Sequence, residues 1–164
     1  MKALLNLVNQ ILTRLIIVIS SLLVICVVWQ VLSRYVLAAP STATDELARF
    51  LFMWVGLLAA AYGVNVKSHL AIDLLTMNLT GKRKAVSELI IEVAIALFAA
   101  VAMVYGGIGL VAKTLETGQI SPAMGLEMGY IYLCLPISGV LILFYSIVNI
   151  WEQLTFIASP EAKA

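Results

Sequence analysis

Two carboxylates, Glu88 and Glu92, have the spacing best suited to chemistry within an otherwise apolar sequence. They are four residues apart, so a helix places both on one face, with Lys84 one turn before Glu88. Ion or proton coupling normally uses carboxylates or histidines near the middle of a span, whereas these two lie in the opening turns of the predicted third span. Structural pairing is the simpler interpretation, with Glu88 bound to Lys84 and Glu92 to a neighbouring helix. If the chain couples to an ion, Glu92 is the candidate.

The sequence does not contain the residue sets that other kinds of catalysis require. His69 is the single histidine, so one chain cannot supply the two histidines that commonly hold haem in membrane cytochromes. The sequence contains no Ser-His-Asp set, CxxC pair, phosphate-binding glycine loop or HExxH motif. We therefore expect a non-enzyme without a metal or cofactor of its own. A net charge of +1 gives no basic surplus for nucleic acid, which is excluded as a partner.

The elements that carry these residues are predicted by composition. Of 164 residues, 63% are apolar and 12% are charged, against about 25% charged in a soluble domain. The uncharged windows are 15–33, 50–66, 93–112 and 128–151. Each has the roughly 17–25 residues that a transmembrane helix needs. The sequence predicts an all-α integral membrane protein, a single membrane domain over 1–164 with spans at about 13–37, 45–66, 88–112 and 128–151.

Two further segments have amphipathic helical spacing. In the first, apolar residues recur at Leu4, Leu5, Val8, Ile11, Leu12 and Leu15. In the second, after the second span, Leu70, Leu74 and Met77 repeat before the basic run at 82–84. Both predict helices lying at the membrane interface. An irregular cytoplasmic loop is the alternative for the second segment.

Orientation follows from the distribution of positive charge. The termini and second connection carry Lys2, Arg14, Lys67, Lys82, Arg83, Lys84 and Lys163, whereas the first and third connections carry Arg34, Arg49 and Lys113. Because positive charge is retained preferentially in the cytoplasm, both termini are predicted to be cytoplasmic.

The first hairpin contains a second group of charges. Asp45 and Arg49 can meet across one helical turn, as can Glu46 and Arg49, and Arg34 could reach this turn from the preceding helix. This pattern indicates a charged cluster at the non-cytoplasmic end. The alternative is a helix cap with solvated ion pairs, each contributing at most about 1 kcal/mol.

A family resemblance emerges over residues 29–75. The matching order is Trp29, Arg34-Tyr35-Val36-Leu37, Asp45-Glu46-Leu47-Ala48-Arg49-Phe50, Trp54, Gly56 and His69-x-x-x-Asp73-Leu74-Leu75. It resembles the small membrane subunit of tripartite ATP-independent periplasmic (TRAP) transporters, the DctQ-like family. Many members have an aromatic residue where this chain has Thr44, so that position departs from the pattern.

The resemblance implies a three-part uptake system in a bacterial inner membrane. A periplasmic binding protein captures an organic acid, and a large elevator-type subunit with sodium and substrate sites transports it. The small subunit then scaffolds the large one among membrane lipids and helps to dock the binding protein. The substrate would be sialic acid, which the resemblance slightly favours, or a dicarboxylate.

The candidate partner-interface or structural residues are Arg34, Asp45, Glu46, Arg49, Trp54, Gly56, His69, Asp73, Glu92, Glu116 and Glu127. We expect the hairpin charges to lock the first connection. His69 and Asp73 are expected to fix the second amphipathic helix. Glu116 and Glu127 border a larger periplasmic connection that could contact the binding protein.

Two other functions stay open at this point. A self-contained, homo-oligomeric small transporter would need Glu92 as its essential membrane carboxylate. A membrane anchor subunit of a redox complex would need a bound cofactor.

Overall fold

The computed structural model describes residues 2–66 and 81–158, which are almost entirely helical. The helices are α1 (Lys2–Tyr35), α2 (Thr42–Asn65), α3 (Gly81–Phe98), a π-helical segment (Ala99–Tyr105), α4 (Gly106–Glu116), α5 (Met128–Tyr132) and α6 (Cys134–Ala158). No β-strand forms within the described residues, where an isolated antiparallel bridge joins Ile120 and Glu127.

Four helical stretches are long and apolar enough to cross a membrane. They are Leu5–Tyr35, Thr42–Asn65, Lys84–Glu116 and Met128–Thr155. This confirms the prediction of an all-α protein with four spanning helices. The longest stretch has 33 residues and a length of about 50 Å, which exceeds the roughly 30 Å hydrocarbon core. The ends of such helices must tilt or project beyond the core.

The predicted N-terminal amphipathic segment is helical, but it is continuous with the first span. α1 runs from Lys2 to Tyr35 without a glycine or proline to interrupt it. The second amphipathic segment falls within residues 67–80, outside the described residues, as do the candidates His69 and Asp73. The placement of both segments at a membrane interface stays a prediction.

One stripe of α1 is more protected than the rest of the helix. Its members recur every three or four residues and are Asn9, Leu12, Ile16, Ile19, Leu23, Cys26, Gln30 and Ser33. A spacing that alternates between three and four residues is typical of left-handed packing between membrane helices. The other faces expose large apolar side chains such as Ile25, which suits them to a hydrocarbon environment.

The chain groups into two compact units. The first comprises Met1–Ala59 and Ile108–Cys134, and the second comprises Ala60–Gly107 and Leu135–Ala164. The first unit therefore holds the charged hairpin and the connection at 117–127. The second holds the end of α2, the carboxylates of α3 and nearly all of α6.

Within the second unit, close backbone approach joins the π-helical segment to α6. A Cβ atom at Gly139 would lie 2.8 Å from Met103 Cβ, and one at Gly107 would lie 3.0 Å from Pro136 Cδ. Small residues are therefore required here for packing within the chain. Pro136 lies in the first turn of α6, where a helix does not need its missing N–H. The fourth span is divided just before this proline, because α5 ends at Tyr132 and α6 begins at Cys134.

Gly139→Ala is expected to lower the free energy of unfolding by about 1–3 kcal/mol, because its methyl group overlaps Met103. Gly109→Ala is the matched control, since nothing lies within 4 Å of its Cβ position and alanine favours a helix by up to about 1 kcal/mol. Thermal unfolding of both variants in mild detergent measures the difference. Equal melting temperatures would contradict the packing described here.

Candidate functional site

Glu46 joins two connections that are distant in sequence. It follows the first turn of α2, and its Oε2 accepts hydrogen bonds from the backbone N–H groups of Ala123 at 2.9 Å and Met124 at 3.0 Å. The Ser121 side chain also hydrogen bonds to this carboxylate. The connection at 117–127 is therefore attached to the start of α2.

The local fold of the 117–127 connection makes these donors available. Ser121 donates its N–H to Leu126 O at 2.8 Å and accepts the N–H of Gly125 at 2.9 Å. Gly125 has a φ of +67°, a conformation that glycine adopts without a steric penalty. The tight turn leaves two successive N–H groups for an anion, and carboxylates accept such bonds strongly.

Asp45 connects α2 to α1. Its carboxylate accepts hydrogen bonds from the Gln30 side chain and from Arg49, and the contact with Arg49 confirms a predicted pair. We define the connection cluster as Gln30, Asp45, Glu46, Arg49 and Ser121. It links α1, α2 and the 117–127 connection within the first unit.

Arg34 does not join the connection cluster. It is exposed in the last turn of α1 and forms no ion pair within residues 2–66 and 81–158. Gln30, one turn earlier, makes the predicted contact with the hairpin instead. The sequence signal for Gln30 was a lone amide within the uncharged window 15–33. The guanidinium of Arg34 still has a favourable position at the negative end of the helix dipole.

A second polar group lies in the second unit. Lys84 lies 3.9 Å from Glu88, which confirms that predicted pair, and Glu88 accepts a hydrogen bond from the Gln153 amide. One turn further along α3, Glu92 Oε1 accepts a hydrogen bond of 2.9 Å from Asn149 Nδ2. Glu92 thus has the partner on a neighbouring helix that its structural interpretation required. We call Glu88, Glu92, Asn149 and Gln153 the carboxylate ladder.

Asn149 also serves the end of α2. Its Nδ2 donates to Val64 O at 3.1 Å, and the Asn149 side chain is only 6% exposed. The last carbonyl groups of a helix lack partners within that helix, so this amide satisfies one of them. One side chain therefore ties α2, α3 and α6 together. Sequence reasoning missed Asn149 and Gln153, although each is an amide on a long apolar helix.

The other candidates do not converge on a site. Trp54 is half-buried in α2, and Gly56 is exposed with no atom near its Cβ position. Glu116 lies 3.6 Å from Lys113, and both side chains are mostly exposed. Glu127 has an extended backbone just before α5 and makes no side-chain cap.

Both connections near the connection cluster carry exposed apolar side chains. Val36 and Leu37 follow α1, and Ile120 lies in the 117–127 connection. Over the described parts of the chain, no three His, Cys, Asp or Glu side chains form a group that could hold a metal ion. The geometry is suited to holding two connections in place and presenting apolar side chains from them.

Comparison with known proteins identifies a family and several relatives. Residues 23–156 match the family described as the DctQ component of tripartite ATP-independent periplasmic transporters. A TRAP transporter small permease protein of Haemophilus influenzae is 26% identical over 163 residues, which cover 99% of each chain. The sialic acid TRAP transporter small permease SiaQ of Vibrio cholerae is 24% identical, over 100% of this chain and 93% of SiaQ.

A longer relative matches in only one part. The isethionate TRAP transporter permease DctMQ of Oleidesulfovibrio alaskensis is 29% identical over 122 residues. The match covers 71% of this chain but 19% of DctMQ. A segment similar to this chain is therefore part of a much longer permease polypeptide.

Glu46→Leu is expected to speed hydrogen exchange at the Ala123 and Met124 amides roughly fivefold or more, because Ala123 loses its acceptor and Met124 keeps only the 3.3 Å bond to Ser121 Oγ. Glu46→Gln retains an acceptor oxygen and should show a smaller increase. Exchange measured by mass spectrometry over the 117–127 connection tests this. Unchanged exchange in Glu46→Leu would show that the carboxylate does not hold the connection.

Asn149→Leu is expected to lower the free energy of unfolding by about 1–3 kcal/mol, because Glu92 and Val64 O both lose a buried donor. The exposed neighbour Ile147 provides the control variant, Ile147→Leu. Combining Asn149→Leu with Glu92→Leu should cost less than the two single changes added together. Strict additivity of the melting-temperature changes would argue against a direct interaction.

Proposed function

Since the chain belongs to the DctQ component family of tripartite ATP-independent periplasmic transporters, we propose that it scaffolds a large permease subunit. The family match covers residues 23–156, which include both polar groups described above. The near full-length similarity to small permease proteins carries the proposal. A role in transport rather than catalysis is consistent with this membership.

The longer relative supports a large permease as the partner, because it contains a segment similar to this chain within one long polypeptide. In DctMQ, a segment similar to this chain occupies about a fifth of one permease polypeptide. Covalent linkage keeps two parts of a protein at a high effective concentration, so such a link is consistent with parts that work together. In our proposal, this chain associates with its large subunit without that link.

The extent to which each candidate span is buried within the chain is consistent with a membrane scaffold. Half of the most apolar window of the fourth candidate span is buried, against 6% of the first and 11% of the third. The first and third spans therefore leave wide surfaces for lipid and for helices of a partner. The connection cluster and the carboxylate ladder would keep the helices in fixed positions while that partner moves.

We further place the connection cluster on the periplasmic side of a bacterial inner membrane, with both termini in the cytoplasm. The distribution of Lys and Arg along the sequence supports this orientation. The apolar side chains of Val36, Leu37 and Ile120 then face the periplasm. This is the surface that we propose helps to dock the binding protein.

The proposed cargo is an organic acid, either sialic acid or a dicarboxylate. SiaQ is named for sialic acid and DctMQ for isethionate, so the similar proteins belong to systems with different anions. A common small subunit with different cargoes supports selection by the other two components. The sodium and substrate sites are accordingly assigned to the large subunit.

The C-terminally tagged chain, extracted in mild detergent from its native membrane, is expected to co-purify with one large polytopic protein in near-equal amount. Mass spectrometry identifies that partner. Recovery of the chain alone as a monodisperse homo-oligomer would contradict the scaffold function and favour a self-contained transporter. A visible absorption band of a bound cofactor would favour a redox anchor instead.

The docking role has its own test in the assembled system. Glu46→Leu should leave co-purification of the large subunit intact but lower uptake several-fold, because the 117–127 connection loses its attachment to α2. Glu116→Gln changes an exposed ion pair in the last turn of α4, just before that connection, and serves as the control. Normal uptake in Glu46→Leu would remove the connection cluster from the docking surface.

A further inference from the structure

The carboxylate ladder contains an oxygen that has no partner among residues 2–66 and 81–158. Glu92 Oε1 accepts the Asn149 amide hydrogen bond, whereas Glu92 Oε2 is buried and forms no hydrogen bond with any of these residues. A buried carboxylate without full compensation is costly in any protein and more so within a membrane. This oxygen therefore requires a hydrogen-bond donor or a positive charge.

The groups around Glu92 increase its need for a compensating positive charge. Glu92 Oε1 and Val64 O both lie within about 3 Å of the same Asn149 nitrogen. Val64 belongs to the last turn of α2, where the helix dipole places partial negative charge. A carboxylate beside the end of a helix is repelled by that dipole. The site thus concentrates negative charge from two sources.

No described side chain supplies the compensating charge. Lys84 lies one turn away from Glu88 and pairs with it, and no ion pair to Glu92 forms within the described part of the chain. Ser146, one turn before Asn149 on α6, is fully buried, and its Oγ has no hydrogen-bond partner among the described residues either. The unsatisfied Glu92 oxygen at the junction of α2, α3 and α6 indicates that a ligand binds there.

We propose that Glu92, the Asn149 side-chain oxygen and the carbonyl oxygens at the end of α2 bind a small monovalent cation. All of these ligand atoms are oxygens, and oxygen ligands favour hard cations. The single carboxylate balances a single positive charge. Carbonyl groups at helix ends coordinate such ions in other membrane proteins. The bound cation would reinforce the junction of α2, α3 and α6, independently of any large subunit.

The first test measures thermal unfolding of the purified full chain by tryptophan fluorescence, with NaCl replacing choline chloride at constant ionic strength. The melting temperature is expected to rise with sodium and to reach a plateau. Glu92→Gln should remove this dependence. Glu88→Gln should retain it, because Glu88 pairs with Lys84 and Gln153 rather than with the end of α2.

A direct binding measurement supports the thermal test. Equilibrium dialysis of the wild-type chain with radioactive sodium should find one ion per chain. Glu92→Asp keeps the charge on a shorter side chain and should weaken binding by about tenfold. This variant serves if Glu92→Gln cannot be purified as a monodisperse protein. Because the chain is studied alone, the result does not depend on whether a large subunit co-purifies.

Three outcomes would overturn the proposal. The first is wild-type protein that binds neither sodium nor potassium in dialysis. The second is sodium binding that is unchanged in Glu92→Gln. The third is stabilisation by mild acid with no response to either cation, which would mean that a proton neutralises Glu92.

Discussion

The requirement that polar groups in an apolar environment find partners determines how this chain is held together. Asn149 satisfies this requirement with two hydrogen bonds, because its buried amide nitrogen donates both to the Glu92 carboxylate and to Val64 O at the end of α2. Glu46 has a comparable role at an exposed connection, where its carboxylate accepts hydrogen bonds from two backbone N–H groups. In both places a single acidic residue fixes segments that apolar contacts alone would leave free to slide.

Local sequence features predicted the parts of the fold that depend on short-range physics. Charge-free windows located the four spans, since a charge within the hydrocarbon core is expensive. The pairs Lys84–Glu88 and Asp45–Arg49 were predictable because helical geometry alone brings them together. The continuity of α1 could also have been predicted, because its first half lacks any residue that ends a helix.

The rest depends on contacts between distant parts of the chain. Asn149 lies 57 residues from Glu92 and 85 from Val64, and Glu46 lies 77 from Ala123, so no periodicity connects them. Arg34 illustrates the resulting error, because charge favoured it over the neutral Gln30 that makes the contact. The π-helical segment Ala99–Tyr105 was equally hidden, since its sequence suits an α-helix and packing against Gly139 occurs only in the folded unit.

The partners of the acidic residues indicate whether they serve transport or structure. Asp45, Glu46 and Glu88 are all engaged with groups that position helices or connections. A transport pathway needs polar groups that exchange partners during the cycle, whereas a scaffold needs partners that stay constant. Glu92 is distinctive among these residues because one oxygen is fixed by Asn149 and the other has no partner within the described chain. With a cation bound there, even this residue would hold α2, α3 and α6 in place, as the scaffold that we propose requires.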